Sequence, residues 1–179
     1  MPDLGRPPDI PPKAQAMAAV LLETGRLHRY AEAGGDGGIV AALERDFARL
    51  TGRRYAVALN SCGSALFLAL RAAGVQPGQP VLLNAFTLGP VPGALQHAGA
   101  TPVLVEITDD LVIDLDDLRH KARASGARVL LLSHMRGHLC DMDALARLCR
   151  DNAITLIEDC AHTLGASWAG RQAGTFGLA

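Results

Sequence analysis

Short apolar runs separated by amphipathic stretches constrain this chain more than any other feature it has. Tyr55–Leu59, Pro80–Asn84, Thr101–Val105, Arg128–Ser133 and Thr155–Glu158 read as strands, short apolar runs that alternate with amphipathic segments. Between them Ser64–Ala73, Gly89–Ala98, Asp114–Ser125 and Met142–Asn152 read as helices. Strand, helix and buried-type strand in succession is the βαβ rhythm of a parallel sheet. The expected class is therefore α/β, a mainly parallel sheet flanked by helices. Ahead of it, Ala14–Thr24 reads as a helix. A glycine-rich break at Gly34–Gly38 then leads into Ile39–Leu50, where Val40, Leu43, Phe47 and Leu50 fall at helical spacing. Residues 1–13 hold five prolines, which remove N–H donors and bias their predecessors toward extended backbone, so a mobile arm is expected there.

Composition narrows the function. The 179 residues, 49% hydrophobic and with a net charge of -1, are enough for one sizeable domain. Scattered Lys and Arg make no basic stripe of the kind a phosphate backbone needs, so nucleic acid is not an expected partner. No run of about 18 uncharged apolar residues exists to cross a membrane, and the opening segment lacks a signal-peptide core. A cytoplasmic location is expected. Cys62, Cys140, Cys149 and Cys160 have neither CxxC spacing nor a secretory context, which favours reduced thiols over disulfides or a metal site.

Chemistry in an open α/β sheet belongs at the carboxyl ends of the strands, where a crevice opens and helix N-termini point free N–H groups. Three stretches qualify. In Ala58–Leu66, the small residues Ser61, Gly63 and Ser64 join a strand to a helix and can cradle a phosphate, although Ser64 as a plain helix cap is the commoner meaning of such a stretch. In Leu83–Pro90, Phe86 and Thr87 fit either a crevice wall or core packing and a cap. In Leu156–His162, Glu158, Asp159 and His162 follow a very apolar strand. A carboxylate there can pair with a protonated ring nitrogen of a ligand, or it can be a solvated strand end.

The order of these motifs closely resembles the DegT/DnrJ/StrS family of pyridoxal-phosphate (PLP) sugar aminotransferases. The segments YAVALNSCGSALFLAL, GQPVLLNAFT, GATPVLVEI, HMRGHLCDMDAL, IEDCAHTLGA and GRQAGTFG occur in family order, and the likeness runs from about Gly25 to the last residue. The resemblance implies a fold-type-I transferase. Residues 14–179 would be the N-terminal part of its large domain, which is incomplete here, behind the proline-rich arm 1–13. It implies PLP as cofactor, a nucleotide-linked keto-sugar and an amino-acid donor as substrates, and a homodimer. By the same resemblance Gly63 and Ser64 hold the cofactor phosphate and Asp159 pairs with the pyridine nitrogen. His162 lies at a Gln or His position beside the phenolic oxygen and Glu158 supports the site, while the His134–Gly137 turn matches a recurrent family motif and is read as structural.

Two departures from the family pattern stand out. Leu88 occupies a position where the family usually stacks an aromatic ring or His on the cofactor. The Schiff-base lysine, which in the family follows the GTFG segment, has no counterpart: the lysines are Lys13 and Lys121. Catalysis by this chain alone is accordingly not expected, and the chain reads as a fragment, with a complementing C-terminal fragment as one conceivable partner. It also follows that Tyr55–Leu59 would lack strand neighbours. Two alternatives remain at this stage. One is a lysine-free module that binds PLP or a nucleotide sugar; the other is part of a different fold-type-I enzyme, such as a cysteine desulfurase or a sugar dehydratase.

Overall fold

A computed structural model of the protein describes residues 9–27 and 38–179. The chain divides into two compact units, Met1–Asp46 and Phe47–Ala179. In the first, helix α1 (Pro12–Thr24) starts on a proline at its first turn, where the missing N–H costs nothing, and stops at Gly25 in the left-handed conformation (φ 65). Two residues of the expected arm thus belong to a helix, whereas residues 1–8 and most of the glycine-rich break lie outside the described residues. Helix α2 (Gly38–Thr51) runs across the division between the units. Its apolar stripe is not buried: Leu43, Phe47 and Leu50 are all exposed.

The second unit holds the sheet. Strands β1 (Pro80–Asn84), β2 (Thr101–Val105), β3 (Val129–Ser133) and β4 (Thr155–Asp159) form one parallel sheet in the order β2-β1-β3-β4. Helices α3 (Cys62–Ala72), α4 (Pro90–His97), α5 (Leu115–Ser125) and α6 (Met142–Asp151) fill the intervals. The pleat sends alternate side chains to opposite faces, which makes two cores. Val81, Leu83, Val129, Leu131 and Ile157 pack with Leu66, Leu70, Val91 and Leu95 of α3 and α4. Leu82, Leu130, Leu132 and Leu156 pack with Leu118, Ala122, Met142, Leu145 and Leu148 of α5 and α6. Strands buried on both faces are why these runs are apolar throughout rather than alternating.

The chain moves from β1 out to β2 through α4, then returns past β1 to β3 and β4 through α5 and α6, with the two pairs of helices on opposite faces. Right-handed crossovers require that change of face. The reversal opens a crevice between the carboxyl ends of β1 and β3. Local signals set the helix starts: Asp114 accepts from the amides of Asp116 and Asp117, and Asp141 from that of Ala144.

Tyr55–Leu59 does not form a strand. The segment is irregular, and Tyr55, Val57 and Leu59 are exposed. A strand exists only through a ladder, and none of the four strands of the sheet pairs with this segment. After β4 the chain makes a small antiparallel hairpin, β5 (Ser167–Trp168) with β6 (Arg171–Gln172), and comes back to the outer edge of β4. There the Leu178 amide donates to the Leu156 carbonyl at 2.7 Å, and the Glu158 amide to the Ala179 carbonyl at 2.9 Å. Gly177 permits the approach, since a Cβ on it would lie 2.4 Å from the Leu156 carbonyl oxygen. The obstacle is backbone and cannot swing away. Gly177→Ala is therefore expected to cost about 1–3 kcal/mol of stability and to remove hydrogen-exchange protection at Leu178. Unchanged protection would mean that the segment does not seat this closely.

Candidate active site

Three strands end on polar residues, and the strand order brings those residues side by side. Asn84 closes β1, Ser133 closes β3 and Asp159 closes β4. The Ser133 amide donates to Asn84 Oδ1 at 2.9 Å, while Asn84 Nδ2 donates to the Ser133 carbonyl at 3.2 Å. Ser133 Oγ then donates to Asp159 Oδ2 at 3.0 Å and meets Thr87 Oγ1 at 2.7 Å. The other Asp159 oxygen accepts from the Ala161 amide at 3.2 Å. The carboxylate is thus held from two sides at the mouth of the crevice.

Helix α3 points its N-terminus at the same place. Ser61 caps it from extended backbone (φ -158, ψ 154), and its Oγ accepts from the Ser64 amide at 3.1 Å and donates to the Ser64 hydroxyl oxygen at 2.9 Å. The cap is therefore Ser61 rather than Ser64. Over Gly63 there is open space: a Cβ there would meet nothing nearer than Ser61 Oγ at 4.0 Å. Next to it, Cys62 Sγ lies 3.9 Å from Asp159 Oδ1. Burial and then the neighbouring Asp159 carboxylate push the Cys62 thiol up from its ordinary value. It stays protonated near neutrality and acts as a donor to Asp159.

Glu158 does something different from its neighbour. Its side chain is fully buried and receives four N–H groups. His134 Nε2 lies 3.1 Å from Oε2 and the Gly174 amide 3.0 Å from it, while the amides of Phe176 and Gly177 reach Oε1 at 2.7 and 2.8 Å. It is not a solvated strand end. Burial pushes the carboxyl up, but the His134 hydrogen bond, the amides of Gly174 and Gly177 and the charge of His134 outweigh burial and hold it below its ordinary value. Arg53 grips the same loop by its carbonyls. Its Nε donates to Gly174 O at 2.9 Å and its Nη2 to Gly177 O at 3.1 Å, with a further Nη2 contact to Gly174 O. Residues 174–177 are clamped between an anion on their amides and a cation on their carbonyls.

His134, Glu158 and Cys160 bring metal-type donor atoms within 4.8 Å of one another. With two N–H donors on each Glu158 oxygen, however, the carboxylate is already saturated. Burial, the largest influence, also pushes the Cys160 thiol up to about 11. This is a structural network rather than a cation site.

Of the residues singled out in the sequence, Gly63, Ser64 and Asp159 lie at one end of the sheet, joined through the Cys62–Asp159 contact. His162 lies on the loop after β4, where its Nδ1 accepts from the Arg136 amide at 3.2 Å. Leu88 is exposed, and Phe86 is half-buried outside both cores. Lys121 sits on α5. Sequence reading missed Asn84, Ser133 and Arg53. The first two obey the rule that found Asp159, a polar residue closing an apolar strand, whereas no local signal marks Arg53. A groove of about 550 Å³ between α3 and α4 shares Ser61, Gly63 and Ser64 with this site but does not reach Asp159.

A parallel sheet with this crevice is the architecture of the PLP fold-type-I aminotransferases. Residues 25–179 match the DegT/DnrJ/EryC1/StrS aminotransferase family, and the chain belongs to it. The spore coat polysaccharide biosynthesis protein SpsC of Bacillus subtilis is 34% identical over 139 residues, which are 77% of this chain and 36% of SpsC. The 3-amino-5-hydroxybenzoate synthase of Amycolatopsis mediterranei is 38% identical over 154 residues, 86% of this chain and 38% of the synthase. A Streptococcus pneumoniae protein assigned as a sugar aminotransferase, solved in its PLP form, superposes with a TM-score of 0.80 at 30% identity, over 96% of this chain and 46% of its own. The chain spans less than half the length of these relatives. No helix among the described residues is long and apolar enough to cross a membrane.

Proposed function

We propose that Phe47–Ala179 carries the cofactor-holding part of a PLP-dependent aminotransferase that acts on a keto-sugar, with a nucleotide-linked sugar and an amino-acid donor as its substrates. One observation carries this reading. An anion-accepting helix N-terminus opens directly beside a carboxylate fixed by Ser133 and Ala161. A ligand that matches both must bear a phosphate at one end and a protonated ring nitrogen at the other, which is the charge pattern of PLP. The open space over Gly63 lets a phosphate oxygen come close to the amides of Cys62 and Gly63.

When bound, PLP supplies an electron-poor ring that takes up electron density released at the substrate carbon. The residues of this chain bind and tune it. The amides of α3 and the hydroxyls of Ser61 and Ser64 hold the phosphate, with the helix dipole favouring its charge. Asp159 keeps a proton on the pyridine nitrogen, and Ser133, backed by Asn84 and Thr87, aims the carboxylate. His162 would donate to the phenolic oxygen, and Leu88 would offer an aliphatic face. Lys121, on α5, is assigned no part in the chemistry, nor is Lys13. A second copy of the chain or a complementing chain would be its protein partner.

The test is a PLP titration of the purified chain followed by absorbance, with pyridoxal as comparator. Saturable PLP binding is expected, with pyridoxal weaker by at least tenfold, since charge-assisted hydrogen bonds to the phosphate contribute about 1.5–3 kcal/mol each. Equal affinity for the two compounds, or no saturation by PLP, would overturn the proposal.

A further inference from the structure

The turn that follows β3 carries backbone strain with no evident local cause. Met135–Gly137 is a single 3-10 turn in which Arg136 has φ 57 and ψ 15, and Gly137 follows at φ 85. A left-handed conformation is unremarkable for glycine but crowded for arginine. The Arg136 side chain is exposed and does not account for it. Strain of this kind persists only where the surroundings over-determine it, and here they do. The His134 amide donates to the Asp159 carbonyl at 3.1 Å, and the His134 ring meets Glu158. Met135 is buried, and the His138 amide closes the turn on the Met135 carbonyl at 3.0 Å.

The strained turn aims one group at His162, which is exposed on the loop after β4. The Arg136 amide donates to His162 Nδ1 at 3.2 Å, and Gly137 packs so close that a Cβ on it would lie 3.4 Å from the His162 carbonyl oxygen. A backbone N–H can only donate, so Nδ1 must be bare, and a neutral imidazole then carries its single proton on Nε2. We infer that the His134–Gly137 turn is a positioning device that fixes His162 in its Nε2–H tautomer, so that His162 presents a hydrogen-bond donor to an anionic ligand oxygen. The identity of that oxygen as the PLP phenolate rests on the function proposed above; the tautomer does not. A glutamine at position 162 has the same two capacities, a carbonyl oxygen for the Arg136 amide and an N–H for the ligand, whereas leucine has neither.

Two measurements on the whole chain test this. In ¹⁵N-labelled protein near neutral pH, a scalar coupling across the hydrogen bond between the Arg136 amide nitrogen and His162 Nδ1 is expected, with Nδ1 resonating as an unprotonated nitrogen. Arg136→Gly, which keeps both the N–H and the left-handed backbone, should leave that signature unchanged. A proton on Nδ1, or a mixture of tautomers in the unmodified protein, would overturn the inference. In PLP titrations, His162→Leu is expected to weaken binding by about tenfold, the equivalent of one charge-assisted hydrogen bond, and His162→Gln to restore most of it. Equal losses in the two variants would overturn the donor role. If the tautomer is fixed but PLP does not bind at all, the proposed function fails and the positioning role of the turn stands. If PLP binds while the tautomers are mixed, only the positioning role fails.

Discussion

Glu158→Ala is expected to destabilise the Phe47–Ala179 unit by about 3 kcal/mol or more, the cost of stranding several buried donors at about 1–3 kcal/mol each. The change deprives His134 and the amides of Gly174, Phe176 and Gly177 of their acceptor at a single stroke. Each buried group left unsatisfied costs about 1–3 kcal/mol, and water entering the space would recover only part. Glu158→Gln keeps the shape but turns an NH₂ toward two donors, so it should also destabilise. Urea unfolding at neutral pH measures both. A loss below about 1 kcal/mol, the scale of a single net hydrogen bond, would mean that the loop is held by something other than this carboxylate.

The same group makes stability depend on pH. Folding holds the Glu158 carboxyl below its ordinary value of 4.5. Its contribution is therefore fully present above 4.5 and is lost as pH falls through the lowered folded value. The unmodified chain should lose stability more steeply than Glu158→Gln on acidification below that point. Parallel acid profiles would assign the pH dependence to other carboxylates.

Asp159→Asn is the second substitution with a large expected effect, and it acts on binding instead of folding. The carboxylate is half-buried, and its Ser133 and Ala161 partners both donate to it, so an asparagine oxygen can satisfy part of that arrangement and the fold should survive. What would be lost, on the proposed function, is the negative charge opposite a protonated ring nitrogen. A charge-assisted hydrogen bond is worth about 1.5–3 kcal/mol, so PLP affinity should fall roughly 10- to 150-fold. Ser133→Ala, which removes only the group that aims Asp159, should produce a smaller loss of the same kind. Unchanged PLP affinity in Asp159→Asn, with the fold intact, would place the ring nitrogen elsewhere.

Much of the framework was legible because its causes are local. Pro80–Asn84 and Thr101–Val105 are strands over the residues expected, and the helices around them shift by a residue or two at their ends. Runs buried on both faces are apolar throughout, and a capping Asp before an amphipathic stretch marks a helix start wherever it occurs. The likeness to the aminotransferase family was legible for a different reason, the order of six motifs along the chain, and the family match over residues 25–179 bears it out.

Tyr55–Leu59 shows where that reasoning stops. Its residues have strand propensity, but propensity does not provide a neighbour, and the ladder that would make it a strand must come from distant parts of a chain. Glu158 and Asp159 show it again. They are adjacent in sequence and identical in charge type, yet the pleat turns one inward to the amides of residues 174–177 and leaves the other at the crevice.

The sequence by itself determined the α/β class and the strands and helices of the sheet, because these depend on apolar periodicity and caps within a few residues, and its motif order carried the likeness to the family. Only the tertiary structure decided that Asn84, Ser133 and Asp159 form one hydrogen-bonded row, that Arg53 and Glu158 clamp the same loop, and that the Arg136 amide faces His162. Those pairings join residues from 16 to 124 positions apart, and the order in which parallel strands lie side by side is set by packing and crossover handedness rather than by their order in the chain.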